Sequence, residues 1–301
     1  MEAHVDIRRQ QGRKNYFLLM LEEMRWKQWT KNLLVFAALV FSIDKSNSVM
    51  VVQSVFGFVC YCLISSCVYV LNDYLDRHAD RQHPIKKFRP IASGQLNPIG
   101  AIVTAGGIFL ITIMVSLYLN LLFGVLLLVY FIINVCYSLK VKHIVILDIM
   151  CIAAGFVLRA IGGAIIINVY LTPWFLVCTM LLALFLAVNK RRHELILLDN
   201  NSTIHRKVLQ NYTVPMIDQM NNVVTSATIV SYALFTFTSG RTLHLMWTIP
   251  FVMYGMFRYL YLVHIKNEGG APDKLLFTDK PLLVTVIMYA CLTISVLYMF
   301  E

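Results

Sequence analysis

Long apolar stretches alternate with short polar ones along this chain, and the stretches are of similar length. Nine can be drawn, roughly Asn32 to Ile43, Val49 to Leu71, Ile99 to Leu119, Leu121 to Ser138, Ile144 to Ile167, Thr172 to Asn189, Val223 to Ser239, Leu243 to His264 and Leu282 to Phe300. An α-helix needs about 20 apolar residues to cross a hydrocarbon core about 30 Å thick, so the pattern predicts nine transmembrane helices. The first block is short and recruits residues from Trp29 onward, and only Asn120 separates the third from the fourth, which demands a tight turn. Ahead of the first block, Tyr16, Phe17, Met20, Leu21 and Met24 recur at helical spacing beside Glu22, Glu23 and Arg25. That predicts a cytoplasmic amphipathic helix within residues 1–31, with Trp26 and Trp29 at headgroup depth.

Composition agrees with a polytopic membrane protein: 58% of the 301 residues are hydrophobic, 14% are charged and the mean hydropathy is +0.68. The net charge of +10 arises from bases placed between apolar blocks. Anionic headgroups or a phosphorylated substrate explain such bases better than nucleic acid does. The seven cysteines all sit in apolar blocks without a CxxC spacing and read as small buried hydrophobes. Residues 1–31 carry Arg8, Arg9, Arg13, Lys14, Arg25, Lys27 and Lys31 with no cleavage pattern after a short apolar core, so no secretory signal is expected. With the N-terminus inside, 22 of the 26 Lys and Arg fall in inside segments, while Lys45 and Arg241 fall outside and Arg159 and Arg258 within spans. This asymmetry predicts N-inside, C-outside with nine crossings of the cell (inner) membrane. The long polar connections follow spans two, six and eight, which places the chemistry on the cytoplasmic face. Spans two and six both end in a polar helical extension, a thin sign of two pseudo-repeated halves in a chain that otherwise reads as one domain over 1–301.

Span two runs into N-D-x-x-D-x-x-x-D. At about 100° per residue Asn72, Asp73, Asp76 and Asp80 share an arc of roughly 100°. Carboxylates that continue a membrane helix are expensive and usually functional, so this face is either a divalent-metal site or a juxtamembrane polar cap. Hard oxygen donors suit magnesium or manganese, and magnesium is usually held by one or two side chains plus substrate phosphates. A diphosphate ligand follows, and Lys86, Lys87 and Arg89 stand where they could neutralise its remaining oxygens, or else act only as orienting charges.

Two further constellations lie downstream. In YSLKVKHIVILDIMCIAAGFVLR, Lys140 and Lys142 sit at the mouth of spans four and five, and Arg159 lies deeper beside Gly155, Gly162 and Gly163, which permit close helix packing. Arg159 either pairs with Asp148 or meets a lipid phosphate; Asp148 reads as a structural partner. NKRRHELILLD closes span six with Lys190, Arg191 and Arg192, a basic cluster suited to a second phosphate. His78, His83, His193 and His205 lack a paired nucleophile or orienting carboxylate.

These motifs resemble the UbiA superfamily of intramembrane prenyltransferases. The likeness runs through WKQWTKNLLVFAALVFS, NDYLDRHADRQHPIKKFRPIASG, YSLKVKHIVILD with GFVLRAIGGA, and NKRRHEL. It implies an all-α bundle of nine transmembrane helices around a cytoplasm-facing cavity open to the membrane. DRxHPxKxxRPIxxG with KRxxEL favours the phosphoribosyl branch of that superfamily, because ordinary members carry a second aspartate-rich motif where bases stand here. The resemblance implies magnesium, with manganese as a substitute, held by Asn72 and Asp76 and assisted by Asp73 and Asp80. It places Lys31, Tyr69, Lys86, Lys87, Arg89, Lys140 and Lys190 around phosphoribosyl diphosphate, Lys142 and Arg159 at the lipid phosphate, and Asp73, Asp76, Asp80 and Lys190 in the catalytic set. Which of Lys86 and Lys87 points inward stays open.

The expected reaction is magnesium-dependent transfer of 5-phosphoribose to a polyprenyl phosphate, for cell-envelope glycan synthesis. The alternatives are transfer of a prenyl group from its diphosphate to a small acceptor, and a magnesium or anion transporter, although the outside half offers no second gate of ionisable groups. The partners are thus the two substrates and the membrane, without nucleic acid; a homo-oligomer is compatible with the pattern.

Overall fold

The computed structural model describes residues 15–43, 46–83, 86–200, 207–266, 268–270 and 272–300, all helix, turn or loop without a strand. Arg8, Arg9, Arg13, Lys14, Lys45, His205 and Arg206 lie outside the described residues. In chain order the α-helices are α1 (Tyr16–Glu23), α2 (Ala37–Val40), α3 (Ser48–Gln82), α4 (Pro98–Leu119), α5 (Leu121–Leu139), α6 (Leu147–Ile166), α7 (Pro173–Asn200), α8 (Val214–Thr238), α9 (Ile249–His264), α10 (Pro272–Thr278) and α11 (Lys280–Phe300). In lipid every backbone polar group must be satisfied within its own segment, and helices do this for uninterrupted apolar runs. Among the described residues, six helices are long and apolar enough to cross a membrane: α3, α4, α5, α6, α7 up to Ile196, and α11. The blocks expected as spans seven and eight form α8 and α9. The first half of α8 is polar, and α9 has 16 residues, only about 24 Å of helix.

The first expected span differs most. It is a 3₁₀ helix, Trp26–Phe36, of 11 residues, followed by the 4 residues of α2. At a rise of about 2.0 Å per residue the 3₁₀ run covers roughly 22 Å, so fewer residues reach as far as a longer α-helix would. Its three-residue turn stacks Trp29, Asn32 and Val35 along one edge.

The chain folds as two compact units. One comprises Met1–Asn32 and Val59–Phe131. Here Leu19, Met20 and Met24 of α1 bury against Cys67 and Val70 of α3, Ile91 and Leu96 of the following loop, and Ala101 and Ala105 of α4. The expected amphipathic face is therefore divided: Met20 and Met24 turn into the protein with Leu19 and Glu23, whereas Tyr16 and Phe17 stay exposed. Trp29 Nε1 donates to Ser66 Oγ at 3.1 Å, and Asn32 Nδ2 to Cys62 Sγ and Ser65 Oγ, both at 3.3 Å, which ties the 3₁₀ edge to α3. Asn97 caps α4 by accepting from the N–H groups of Ile99 and Gly100, with Pro98 at the first turn. The expected tight turn forms at Asn120, whose Oδ1 accepts from Phe123 N–H at 3.0 Å. Gly124 is required there, since a Cβ would lie 2.7 Å from the Leu117 backbone nitrogen.

The other unit comprises Leu33–Phe58 and Ile132–Glu301. Helices α6, α7 and α8 share a core of Ile149, Ala187, Val188 and Ile217 with Val208, Leu209 and Tyr212 of the intervening loop. Asn189 of α7 and Asn221 of α8 exchange hydrogen bonds at 3.0 Å, satisfying two buried amides at once. The close packing expected of Gly163 is present: a Cβ there would lie 2.0 Å from the Val35 carbonyl oxygen. Arg258, expected within a span, is matched by Asp279, whose oxygens accept from its Nε at 3.1 Å and Nη2 at 2.8 Å.

Candidate active site

Helix α3 continues well past its apolar length, and its 35 residues carry the aspartate face out to Asp80. That face contains two kinds of oxygen donor. Asp73 and Asp80 are buried, at 2% and 4% exposure, and ionised carboxylates at such depth require cationic partners. Arg89 Nη1 provides one for both, at 2.9 Å from Asp73 Oδ1 and 2.6 Å from Asp80 Oδ2. Arg25 Nη2 provides a second for Asp73 at 2.5 Å, with its guanidinium 4.9 Å above the Tyr69 ring. Arg25 adopts a positive φ of 53° between α1 and the 3₁₀ helix, which delivers its side chain to α3. Asn72 and Asp76, one helical turn apart on the same face, are half-buried. Asn72 and Asp76 offer hard oxygens of the kind magnesium takes, whereas Asp73 and Asp80 are neutralised by arginine, and no cluster of three or more His, Cys, Asp or Glu that could hold a metal gathers among the described residues.

The bases that follow sort themselves by position. Lys86 Nζ lies 3.9 Å from Asp80, whereas Lys87 is exposed with its Nζ 5.2 Å from the Phe88 ring, so Lys86 is the one that turns toward the aspartates. His83 is held below the usual imidazole range, first by burial and then by the Lys86 charge. Lys31 Nζ donates to Gln28 Oε1 at 3.3 Å. A cavity of about 330 Å³ opens beside this cluster, lined by Glu22, Glu23, Arg25, Gln28, Asp73, Phe88, Arg89 and Pro90. Its size is at the lower end for small-molecule sites, which run from about 300 to 1,000 Å³.

Glu23 is a site neighbour that helical spacing did not reveal. Only 1% exposed, it accepts from Ile91 N–H at 3.3 Å through Oε2. Its carboxyl is pushed up to about 8, first by burial and then by the Asp73 charge, which keeps it protonated at neutral pH.

In the other unit, Lys140 is exposed just ahead of the 3₁₀ turn Val141–His143, and Lys142 is half-buried within it. Asp148 is fully buried: its Oδ2 accepts from Arg191 Nε at 2.7 Å and its Oδ1 from the Tyr212 hydroxyl at 2.8 Å. Arg191 Nη1 also donates to Glu194, and Nη2 lies 3.5 Å from the Tyr137 hydroxyl. Arg192 Nε donates to Asp218 Oδ1 at 2.7 Å. Two bases of the expected phosphate cluster are thus neutralised inside the fold, and the third base, Lys190, is half-buried. Arg159 does not pair with Asp148, whose carboxylate Arg191 and Tyr212 occupy. Instead Arg159 Nη1 donates to Gly155 O at 2.8 Å, and its guanidinium lies 5.3 Å from the Phe156 ring.

Comparison with known proteins adds a family to this geometry: residues 33–280 match the UbiA prenyltransferase family. The chain belongs to that family. A UbiA-family chain of this kind is a multi-pass membrane enzyme, and the transporter reading falls with that membership. Among curated relatives, decaprenyl-phosphate phosphoribosyltransferase of Corynebacterium glutamicum is 33% identical over 98% of this chain and 91% of its own length. The protein of the same name from Mycolicibacterium smegmatis is 29% identical over 92% of this chain and 91% of its own. Among solved structures, a UbiA homologue from Archaeoglobus fulgidus bound to GPP and Mg2+ superposes with a TM-score of 0.71 at 16% identity, over 93% of this chain and 99% of that one.

Within this UbiA-family enzyme, the aspartate face, Tyr69, Lys86 and Arg89 gather in one unit, and Lys140, Lys142, Arg159 and Lys190 belong to the other. Sequence reading missed Arg25 and Glu23 as neighbours of Asp73, and Tyr212 as a partner of Asp148. Arg25 and Asp73 are 48 residues apart and Tyr212 and Asp148 are 64 apart, so no local spacing signals either contact.

Proposed function

We propose that the protein transfers 5-phosphoribose from 5-phosphoribosyl 1-diphosphate to a polyprenyl phosphate of the decaprenyl type, releasing pyrophosphate. The product, a polyprenylphosphoryl-5-phosphoribose, serves cell-envelope glycan synthesis. The observation that carries this reading is the 33% identity, across 98% of the chain, to a decaprenyl-phosphate phosphoribosyltransferase. The basic motif at Lys190, where ordinary superfamily members carry carboxylates, supports it.

In this reading residues 1–301 form one domain of nine crossings, N-inside and C-outside, with the site on the cytoplasmic face. Asn72 and Asp76 hold magnesium, which manganese can replace, and Asp73 and Asp80, fixed by Arg25 and Arg89, keep the face in shape. Bound magnesium supplies charge neutralisation on the departing diphosphate. Lys31, Tyr69, Lys86, Arg89, Lys140 and Lys190 receive phosphoribosyl diphosphate, while Lys142 and Arg159 receive the lipid phosphate; Lys87, exposed beside Phe88, takes no part. As the bond from ribose C1 to the diphosphate oxygen breaks, the lipid phosphate oxygen attacks from the opposite face and the anomeric configuration inverts. No protein base is needed, because a phosphate monoester is already mostly ionised near pH 7. The concentration of Lys and Arg lowers the repulsion between two anionic substrates.

Prenyl transfer to a small acceptor is the competing reading, favoured by the GPP bound to the archaeal homologue. A donor competition separates the two. With magnesium and polyprenyl phosphate, labelled phosphoribosyl diphosphate should give a lipid-soluble label. Prenyl transfer to a small acceptor, with no label from phosphoribosyl diphosphate, would refute the proposal.

A further inference from the structure

The loop between α5 and α6 contains a rare backbone turn. Ile146 has φ 69° and ψ −46°, and the Leu147 N–H donates to the Val145 carbonyl at 2.8 Å, two residues back. These are the marks of a γ-turn of the strained kind, with a β-branched residue at its centre where sterics disfavour one most. Strain of this sort persists only where the surroundings over-determine it, and it collects at ligand clamps. Here the constraint is visible. The Ile146 N–H donates to the Tyr212 hydroxyl at 2.6 Å, and that hydroxyl in turn donates to the buried Asp148. Tyr212 is 4% exposed, and its hydroxyl is pushed up to about 12, chiefly by burial, so it keeps the proton that the Asp148 bond requires. Asp148 is fixed by Arg191, and Arg191 by Glu194. The chain of contacts thus runs from α7 through Asp148 and Tyr212 to one peptide group, four residues beyond Lys142.

We propose that Tyr212 is a positioning residue of the transferase: by holding the Ile146 peptide in its strained turn, it fixes the loop that presents Lys140 and Lys142 to the phosphates of the two substrates. The proposal rests on the reading that those lysines meet substrate phosphates. Tyr212 touches no substrate itself. A mobile loop would bring the same charges to the site less often, and apparent affinity would fall while the transfer step itself stayed intact.

Tyr212→Phe in the full-length enzyme retains the ring and removes only the oxygen. Three quantities are measured: thermal stability in detergent, amide exchange of residues 140–147 by mass spectrometry, and steady-state kinetics with phosphoribosyl diphosphate and polyprenyl phosphate. The variant should fold and exchange at least about tenfold faster across that loop; KM for both substrates should rise roughly fivefold or more with kcat within about twofold. Adding Ile146→Gly, which takes a positive φ without strain, should bring both KM values at least halfway back. Unchanged exchange and unchanged KM in Tyr212→Phe would overturn the proposal, as would a lowered kcat at constant KM or a double variant no better than the single one. Should Tyr212→Phe fail to fold, the wild-type Ile146 amide decides: strong protection supports the pin, and exchange at the rate of an open loop refutes it. A wild-type enzyme that moves no phosphoribose sinks the functional reading instead, and the exchange data still test the pin.

Discussion

Arg191 stands in a basic cluster suited to phosphate, and its surroundings give it a different task. Its side chain is 2% exposed and Asp148 is 0% exposed, so in this fold neither charge is replaceable by solvent. The guanidinium fork reaches Asp148 through Nε, Glu194 through Nη1 and Tyr137 through Nη2. Arg191→Lys preserves the charge but provides a single ammonium, which can satisfy Asp148 or reach outward, not both. The loss of one charge-assisted hydrogen bond at a buried carboxylate amounts to about 1.5–3 kcal/mol. Glu194 is 27% exposed and contributes little more, since exposed pairs are worth about 0–1 kcal/mol. A net loss of about 2 kcal/mol corresponds to a drop in Tm of roughly 4–8 °C for a chain of this class. Thermal unfolding of the purified variant in detergent measures it, with KM for phosphoribosyl diphosphate determined on the same preparation. A Tm within about 1 °C of wild type together with a KM raised several-fold would refute the structural role and return Arg191 to the substrate.

Four other outcomes follow from the same contacts. The Glu23 carboxyl rises from 4.5 to about 8 in the folded protein, so the folded state holds the proton more tightly than the unfolded one and stability falls as pH climbs from about 4.5 to about 8. Glu23→Gln should flatten that slope in pH-dependent thermal melts; an unaltered slope would mean that Glu23 does not titrate in this window. Gly163→Ala places a methyl group 2.0 Å from the Val35 carbonyl oxygen, a backbone atom, and should destabilise by at least about 1–3 kcal/mol, visible as a lower Tm. Asp76→Ala should abolish transfer in a protein that still melts cooperatively, and near wild-type activity at limiting magnesium would contradict its metal role. Arg159→Ala should raise KM for the polyprenyl phosphate several-fold while KM for phosphoribosyl diphosphate holds, and an unchanged lipid KM would exclude Arg159 from the acceptor site.

Hydropathy made most of the helices legible, because a lipid-spanning helix has one length and one composition. Asn72, Asp73, Asp76 and Asp80 were legible as one face because helical period alone sets their directions. The chemistry within that face was not: Asp73 and Asp80 differ from Asp76 through Arg25 and Arg89, and the Arg25 contact depends on α1 docking its Met20 and Met24 side inward. The 3₁₀ form of Trp26–Phe36 was hidden for a related reason. Its edge is chosen by Ser66, Cys62 and Ser65 of α3, whereas its own composition reads as a short apolar span. Arg191 shows the limit of charge counting, since Lys190, Arg191 and Arg192 look alike until Asp148, 43 residues upstream, takes the Arg191 guanidinium.

One measurement tests the central claim most directly. The purified protein is given magnesium, polyprenyl phosphate and phosphoribosyl diphosphate labelled either in the ribose or in the diphosphate, and the products are partitioned between organic solvent and water. Phosphoribosyl transfer requires the ribose label to enter the lipid phase and the diphosphate label to leave in water as pyrophosphate. A diphosphate label in the lipid, or a ribose label that stays in water while a prenyl group moves to a small acceptor, would contradict it.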